Sequence, residues 1–170
     1  MSILPIPDIM ADSIYDVDPT VLTARGVKLV LLDVDNTLAP YTENSPRAEL
    51  PAKLAAMQAA GLELFIFSNS RTERPRIFSK ALGLDFVQRA GKPRLKKLRA
   101  VLAEKGVQPR ETALIGDQIY TDVLCAKRAG AVAVLVEPIL FSNPFLALRY
   151  QLERPFRFIG ARRQKRHEQH

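Results

Sequence analysis

Five short runs of hydrophobic residues punctuate the chain, and each is long enough for one strand of a sheet. The runs span Val27–Leu32, Leu62–Phe67, Asp85–Gln88, Thr112–Ile115 and Ala131–Val136. A continuous apolar run of roughly four to eight residues is typical of a strand that is buried on both faces, as in a parallel sheet. We therefore predict five strands.

The segments between these runs have the spacing of amphipathic helices. Helices are predicted over Pro46–Ala60, Thr72–Leu82, Pro93–Lys105 and Ile119–Ala129, and a glycine follows each of them. A glycine at that position is the usual end of a helix. Because strands alternate with helices, the pattern predicts an α/β fold: a doubly wound, Rossmann-like parallel sheet of about five strands.

The length and the short loops predict one domain with little or no cap domain. At 170 residues the chain fits one domain. We divide it into an N-terminal extension that packs on the core (1–27), the core (28–141) and a C-terminal tail (142–170). Loops of this length leave the predicted site open.

Polar clusters follow four of the predicted strands. They are Asp33-Val-Asp35-Asn-Thr37, Ser68-Asn69-Ser70-Arg71, Gly91-Lys92-Pro93 and Gly116-Asp117-Gln-Ile-Tyr-Thr-Asp122. A parallel sheet brings these strand ends to one edge, where α/β proteins bind their ligands. The clusters therefore predict a site that combines several carboxylates with a hydroxyl and an ammonium group.

This set of groups suits phosphoryl transfer. A carboxylate repels a phosphate by roughly 4 kcal/mol per pair of unit charges at 4 Å and an effective dielectric constant of 20. A Mg²⁺ ion held by carboxylates would reverse that field, and a lysine would add to it. Capture of the phosphoryl group by an aspartate would then divide hydrolysis into two easier displacements.

The four clusters, in this order, resemble the four motifs of the haloacid dehalogenase (HAD) superfamily. The resemblance implies that Asp33 is the nucleophile and forms a phosphoaspartate. It implies that Asp35 is the general acid and base, and that Thr37 braces the loop. A base at position 35 favours hydrolysis over storage of the phosphoryl group.

The same resemblance assigns the binding residues. Phosphate is expected to bind to Ser68, Asn69 and Lys92. Magnesium is expected to bind to Asp33, to Asp117 and to the backbone carbonyl of Asp35. Asp122 is expected either to support the metal from behind its ligands or to orient Lys92.

A closer resemblance is to the YqeG family, within the small class IIIA phosphatases. It is carried by Tyr15-Asp16-Val17, the early DVDNTL, the FSNS cluster, Gly91-Lys92-Pro93 and the GDQIYTD stretch. Relatives in mitochondria and plastids dephosphorylate phosphatidylglycerophosphate, so the resemblance implies that substrate. The alternatives are a phosphatase of a soluble phosphosugar, nucleotide or phosphoprotein, and a non-enzymatic, receiver-like module that responds to phosphate.

Several of these residues also have purely structural interpretations. Asp122 can sit in a first helical turn, and Asn69 and Ser70 can cap the next helix. Asp16-Val-Asp18 repeats the Asp-Val-Asp of the first cluster, but no buried strand precedes it and Pro19 follows. We interpret this repeat as a surface turn.

Composition excludes other chemistries and draws attention to the tail. The chain has one cysteine and two histidines, His167 and His170, so a disulfide and histidine-based catalysis in the core are excluded. The net charge is +7, and residues 149–170 hold seven of the Lys and Arg residues against two glutamates. Five of the twelve aromatic residues lie in residues 141–158.

We interpret the tail as a short helix that Ser142 or Asn143 caps, that begins at Pro144 and stops before Pro155. Its aromatic and basic residues can contact an anionic membrane, although Arg149 interrupts the apolar side. The alternative is a helix packed on the sheet with a frayed basic end. Nucleic acid is not expected as a partner, since no base-reading or stacking signature accompanies the charge.

The N-terminus and the apolar runs predict the location. The N-terminus has no basic region of the kind that begins a signal peptide. The apolar runs are also shorter than a membrane span of about 18–20 residues. We expect a cytoplasmic protein that can lie at the inner face of the membrane.

Overall fold

A computed structural model describes residues 4–140 and 144–168 and contains a six-stranded parallel sheet. The strands are β1 (Ile9–Ala11), β2 (Leu29–Leu32), β3 (Glu63–Phe67), β4 (Phe86–Val87), β5 (Thr112–Gly116) and β6 (Val132–Val136). Their order across the sheet is β1-β6-β5-β2-β3-β4. The central strand, β2, pairs with β3 on one side and β5 on the other, with Leu32 opposite both Ile66 and Ile115. The α/β fold predicted from the alternation of strands and helices is confirmed.

Six helices connect and flank the strands. They are α1 (Pro19–Ala24), α2 (Leu50–Ala59), α3 (Arg74–Leu82), α4 (Lys96–Lys105), α5 (Leu124–Ala129) and α6 (Pro144–Glu168). A π-helical turn over Ile119–Val123 precedes α5 within the segment predicted as one helix. Helices α2, α3 and α4 begin two to four residues later than predicted, because turns and loops occupy the first residues of those segments.

The sheet is buried on both faces, as the continuous apolar runs require. Alternate residues of β2 point to opposite faces: Val30 and Leu32 join the core under α2 and α3, and Leu29 and Leu31 join the core under α4 and α5. All four residues of β2 are fully buried. The strand that leads into the first polar cluster is therefore buried along its whole length.

The prediction of about five strands misses β1, which lies inside the segment interpreted as an extension. Its three residues pair in parallel with β6, from Ile9 opposite Val134 to Ala11 opposite Val136. Pro5 and Pro7 precede it, and a three-residue strand has no measurable alternation. These residues form a strand because the edge of β6 offers backbone groups with which they can pair.

The C-terminal helix is longer than predicted. We expected it to stop before Pro155, but α6 runs without a break from Pro144 to Glu168 with Pro155 inside it. A proline removes one helical hydrogen bond and crowds the preceding turn. Here buried side chains before and after it, Glu153 and Arg157, hold both halves against the core. Ser142 and Asn143, the predicted caps, lie outside the described residues.

Within residues 4–140, no inserted unit covers the edge at the carboxyl ends of the strands. Within residues 4–140, the connection from β2 to α2 is the longest at this edge, and it contains no helix and only the bridge between Asp35 and Ala39. The Asp16-Val-Asp18 repeat lies elsewhere, where Asp18 caps α1 by accepting the Thr20 N–H at 2.8 Å. None of the helices described has the length and hydrophobicity of a membrane span.

Candidate active site

Lys92 is the centre of the polar cluster at this edge. Its Nζ lies 2.6 Å from Asp33 Oδ1 and 2.6 Å from Asp122 Oδ1, and it donates to the Phe67 carbonyl at 2.9 Å. The three charged side chains are 1–6% exposed. One ammonium therefore joins residues from the ends of β2 and β3 and from the turn after β5.

Asp33, Asp117 and Asp122 form a compact group of buried carboxylates. One oxygen from each lies within 4.8 Å of the others. Neither carboxylate oxygen of Asp117 accepts a hydrogen bond from any residue that the structure describes. Buried carboxylates without donors need a cation, and oxygen ligands of this kind suit Mg²⁺. The group therefore fits a hard divalent cation.

The pKa values record the crowding of negative charge. Burial raises the pKa of Asp33 to about 7, although the Lys92 ammonium acts against it. Burial, and then the neighbouring Asp122, raise the pKa of Asp117. Burial lowers the pKa of Lys92, but the carboxylates of Asp122 and Asp33 more than offset this, so its pKa lies above the usual value. Lys92 thus stays charged, but its single charge offsets only part of the negative charge of the three carboxylates.

Asp35 lies at the entrance of the site, in a salt bridge with a residue that sequence reasoning did not select. Arg74 Nε donates to Asp35 Oδ1 at 2.8 Å. A cavity of about 190 Å³ opens beside them. It is lined by Asp33, Asp35, Tyr41, Asn69, Ser70, Lys92, Gln118, Thr121 and Asp122. The predicted nucleophile and the predicted acid thus face one small polar cavity.

The predicted phosphate-binding residues divide into two kinds. Asn69 lines the cavity, and its side chain bonds the backbone of Lys92 twice: Nδ2 donates to the carbonyl at 3.1 Å and Oδ1 accepts the N–H at 2.8 Å. Ser68 is fully buried outside the cavity lining, and its Oγ accepts the Ser70 N–H at 3.2 Å. Ser70 and Thr72 form the turn before α3. Asn69 therefore positions Lys92 and does not cap the helix.

The two predicted supporting residues, Thr37 and Asp122, lie in loops of the site, as does Asn36. Thr37 is buried and its N–H donates to the Val34 carbonyl at 3.2 Å, which closes the turn after β2. Asn36 has a φ of 60°, a conformation that Asn tolerates better than most residues. Asp122 uses one oxygen for Lys92, and its Oδ2 accepts the Gln118 N–H at 3.2 Å. It therefore contacts Lys92 from the turn in which it lies.

Sequence comparison identifies the family. A HAD-hydrolase-like family model matches residues 89–138. The chain is 32% identical over 165 residues to the probable phosphatase YqeG of Bacillus subtilis, covering 96% of this chain and 95% of that protein. The chain belongs to the YqeG family of HAD-type phosphatases. This family member is therefore a phosphatase, and the polar cluster described above is the candidate for its phosphatase site.

More distant relatives include named lipid phosphatases and solved structures. The chain is 29% identical to the chloroplastic phosphatidylglycerophosphate phosphatase 1 of Chlamydomonas reinhardtii, covering 84% of this chain but 56% of that protein. A 3-deoxy-D-manno-octulosonate 8-phosphate phosphatase from Moraxella catarrhalis, solved with magnesium and phosphate, superposes with a TM-score of 0.51 at 17% identity over 74% of this chain and 82% of that one. A hypothetical protein from Xanthomonas campestris has a TM-score of 0.55 at 22% identity, with coverages of 88% and 80%. These two structures share the fold.

Helix α6 supports the phosphatase site from behind, which sequence reasoning did not predict. Arg157 Nη2 donates to the Asp117 carbonyl at 2.6 Å and pairs with Glu153 at 3.1 Å. Glu153 in turn accepts the Ile119 N–H at 3.1 Å. Arg149 Nη2 lies 3.7 Å from Asp117 Oδ2. The position of Arg149 in a largely apolar stretch was the only signal of this contact.

Proposed function

We propose that this phosphatase is a Mg²⁺-dependent phosphomonoester hydrolase that works through a phosphoaspartate on Asp33. The observation that supports the proposal is the contact of Asp33 with the Lys92 ammonium, together with the compact group that Asp33 forms with the carboxylates of Asp117 and Asp122. Asp33, Asp117 and the Asp35 backbone carbonyl would hold Mg²⁺, which would offset the charge of the phosphate. Lys92, which contacts the carboxylate of the nucleophile, would bind the transferring phosphoryl oxygens.

The reaction has two displacements. An Asp33 carboxylate oxygen attacks phosphorus, the bond to the ester oxygen breaks, and Asp35 gives that oxygen its proton, so that an alcohol leaves. A water molecule then attacks the phosphorus of the phosphoaspartate and Asp35 takes its proton. The bond to Asp33 breaks, and inorganic phosphate and the free carboxylate are restored.

The test is phosphate release by Asp33→Asn in the presence of Mg²⁺. We expect the variant to fold and to lose turnover, because an amide is a poor nucleophile. Asp16→Asn is the matched control: it changes the first aspartate of the repeated Asp-Val-Asp outside the site and should leave the rate unchanged. Normal phosphate release by Asp33→Asn would refute the assignment of the nucleophile.

For the substrate we propose phosphatidylglycerophosphate. Two observations support it: the similarity to the algal enzyme of that name, and an edge of the sheet that no inserted unit covers. An open site can reach a phosphomonoester that is presented at a lipid surface. Phosphate release should be faster from this lipid in mixed micelles than from phosphosugars or nucleotides. A clear preference for a soluble ester would favour the alternative substrates.

We further propose that the protein is cytoplasmic and contacts an anionic membrane through one face of α6. The apolar residues of this face are exposed: Leu148 and Leu152 by 60% each, Phe158 by 57% and Ile159 by 40%. Two basic residues, Arg162 and Arg163, follow on the exposed side of the same helix. Apolar residues followed by arginines suit an anionic bilayer surface.

Vesicle sedimentation tests the membrane contact. Each basic residue near an anionic surface contributes about 1 kcal/mol, so Arg162→Gln with Arg163→Gln should weaken binding about 30-fold. Arg110→Gln with Arg25→Gln, two exposed positions outside α6, is the matched control. Equal binding to anionic and zwitterionic vesicles, or no effect of the α6 changes, would contradict the contact.

A further inference from the structure

Arg74, the first residue of α3, is buried although nothing in the proposed reaction uses its charge directly. The residue is 6% exposed, and the side chains of its salt bridge with Asp35 are 7% and 14% exposed. A buried guanidinium is costly unless its N–H groups are paired. The N–H groups of Arg74 that do not bind Asp35 therefore need other acceptors.

Its remaining donors bind one loop. Nη2 donates to the Pro40 carbonyl at 3.0 Å, and Nη1 donates to the carbonyls of Tyr41 and Glu43, the former at 3.2 Å. The aromatic ring of Phe78, one turn further along α3, lies under the guanidinium at 5.6 Å. A single side chain thus joins Asp35 to the loop that carries Tyr41 over the cavity. A planar, forked donor can satisfy this geometry, and the single nitrogen of a lysine cannot.

We propose that Arg74 is the positioning residue for Asp35 in the first displacement. Arg74 binds one oxygen of the carboxylate, Oδ1, and so fixes the side-chain rotamer. A proton can then pass to the ester oxygen from the other oxygen, Oδ2. This inference rests on the proposed function, in which Asp35 protonates the leaving group.

If Arg74 positions Asp35, the effect of changing Arg74 on kcat/KM should depend on the leaving group of the ester. An alkyl phosphate must have its leaving oxygen protonated, whereas p-nitrophenyl phosphate releases a stable anion and needs little help. For a reaction through a covalent intermediate, kcat/KM reports the steps up to release of the alcohol. It is therefore independent of the later hydrolysis of the phosphoaspartate, in which Asp35 also takes part.

The experiment compares kcat/KM of Arg74→Gln and Arg74→Lys for glycerol 3-phosphate and p-nitrophenyl phosphate. General acid catalysis contributes about 10²–10⁴-fold, so Arg74→Gln should lower kcat/KM for the alkyl ester by about 10²-fold. For the aryl ester the loss should stay below about 10-fold. Arg74→Lys should fall between Arg74→Gln and the wild type for the alkyl ester. Arg76→Gln, an exposed arginine on the same helix, is the control and should match the wild type for both esters.

A double-mutant cycle with Asp35→Asn tests whether Arg74 acts through Asp35. If it does, the losses for the alkyl ester should be strongly non-additive, since Asp35→Asn has already removed the proton. Additive losses, or equal losses on both esters, would overturn the proposal and assign Arg74 to loop stability alone. Where Arg74→Gln unfolds, the same cycle with Arg74→Lys decides. Failure of the proposed function itself is separate, because it would appear as normal turnover by Asp33→Asn.

Discussion

At the scale of single residues, the site depends on Gly116 because Asp122 approaches its backbone very closely. A Cβ atom at position 116 would overlap the Asp122 side chain. Asp122 contacts the Lys92 ammonium at 2.6 Å, the same distance as Asp33. Gly116, the last residue of β5, therefore affects Lys92 indirectly. Because it has no side chain, Asp122 can lie against its backbone and reach Lys92.

We predict that Gly116→Ala displaces Asp122 and, with it, Lys92. Overpacking of this kind costs about 1–3 kcal/mol of stability, and a displacement of about 1 Å in a catalytic group can lower the rate by about 10²-fold. Thermal unfolding and phosphate release measure the two effects. Gly26→Ala is the control: its φ of 78° strains alanine but a Cβ there meets nothing within 4 Å. It should lose stability without losing activity; a comparable loss of activity would argue against the displacement of Lys92.

At the scale of elements, the buried and exposed faces of α6 have different roles. Its buried face, with Glu153 and Arg157, holds the backbone on both sides of Gln118, at Asp117 and Ile119. Tyr150 stacks on the Arg157 guanidinium at 4.4 Å, and its hydroxyl donates to Glu137 at 2.8 Å. Further along, Gly160 lies so close to Pro7 and Met10 that a Cβ atom added at this position would be 2.8–2.9 Å from their side chains. The helix therefore braces both the phosphatase site and the β1 edge.

We predict that Arg157→Met weakens Mg²⁺ binding although Arg157 touches no metal ligand side chain. Arg157 donates a hydrogen bond to the backbone carbonyl of Asp117. Residues that hydrogen-bond to metal ligands typically contribute about 10–100-fold to metal affinity or activity. The Mg²⁺ concentration for half-maximal activity measures the effect. Arg154→Met, an exposed neighbour on α6, is the matched control. An unchanged Mg²⁺ dependence in Arg157→Met would mean that α6 only stabilises the fold.

At the scale of the whole molecule, buried negative charge at the site opposes folding until a cation offsets it. Burial raises the pKa values of Asp33 and Asp117 in the folded protein, that of Asp33 to about 7. The pKa of an aspartate in the unfolded chain is about 4. Between these values the folded state binds more protons than the unfolded state, so stability falls as pH rises. Exposed carboxylates with lowered pKa values, such as Glu111, act in the opposite direction at lower pH.

We predict that the metal-free protein loses thermal stability between about pH 5 and pH 7 and that Mg²⁺ restores it. The increase in Tm on adding Mg²⁺ should be larger at pH 8 than at pH 5, because protons compete with the metal at the lower pH. Asp117→Asn removes one buried charge, so it should raise the Tm of the metal-free protein at pH 8 and reduce the effect of Mg²⁺. A Tm that is independent of Mg²⁺ at pH 8 would contradict a metal site here.

The strands β2, β3, β5 and β6 and the convergence of Asp33, Lys92 and Asp117 could be predicted because they depend on local patterns. A continuous apolar run specifies burial on both faces, and parallel strands necessarily present their carboxyl ends at one edge. The resemblance of the motifs to the HAD superfamily implied two possible roles for Asp122. These features need no knowledge of which distant residues meet.

Other features depended on contacts between residues far apart in the chain. β1 is a strand because β6 offers it an edge, and α6 continues through Pro155 because Glu153 and Arg157 reach the loop after β5. Arg74 lies 39 residues from Asp35, and no local pattern relates the two. The amino-acid sequence by itself determined five of the six described strands and the motifs, since these follow from periodicity and residue type, and the resemblance of the motifs to a known family implied the chemistry. Only the tertiary structure decided which buried charges meet, because a guanidinium becomes a partner only where folding removes the water that would otherwise solvate it.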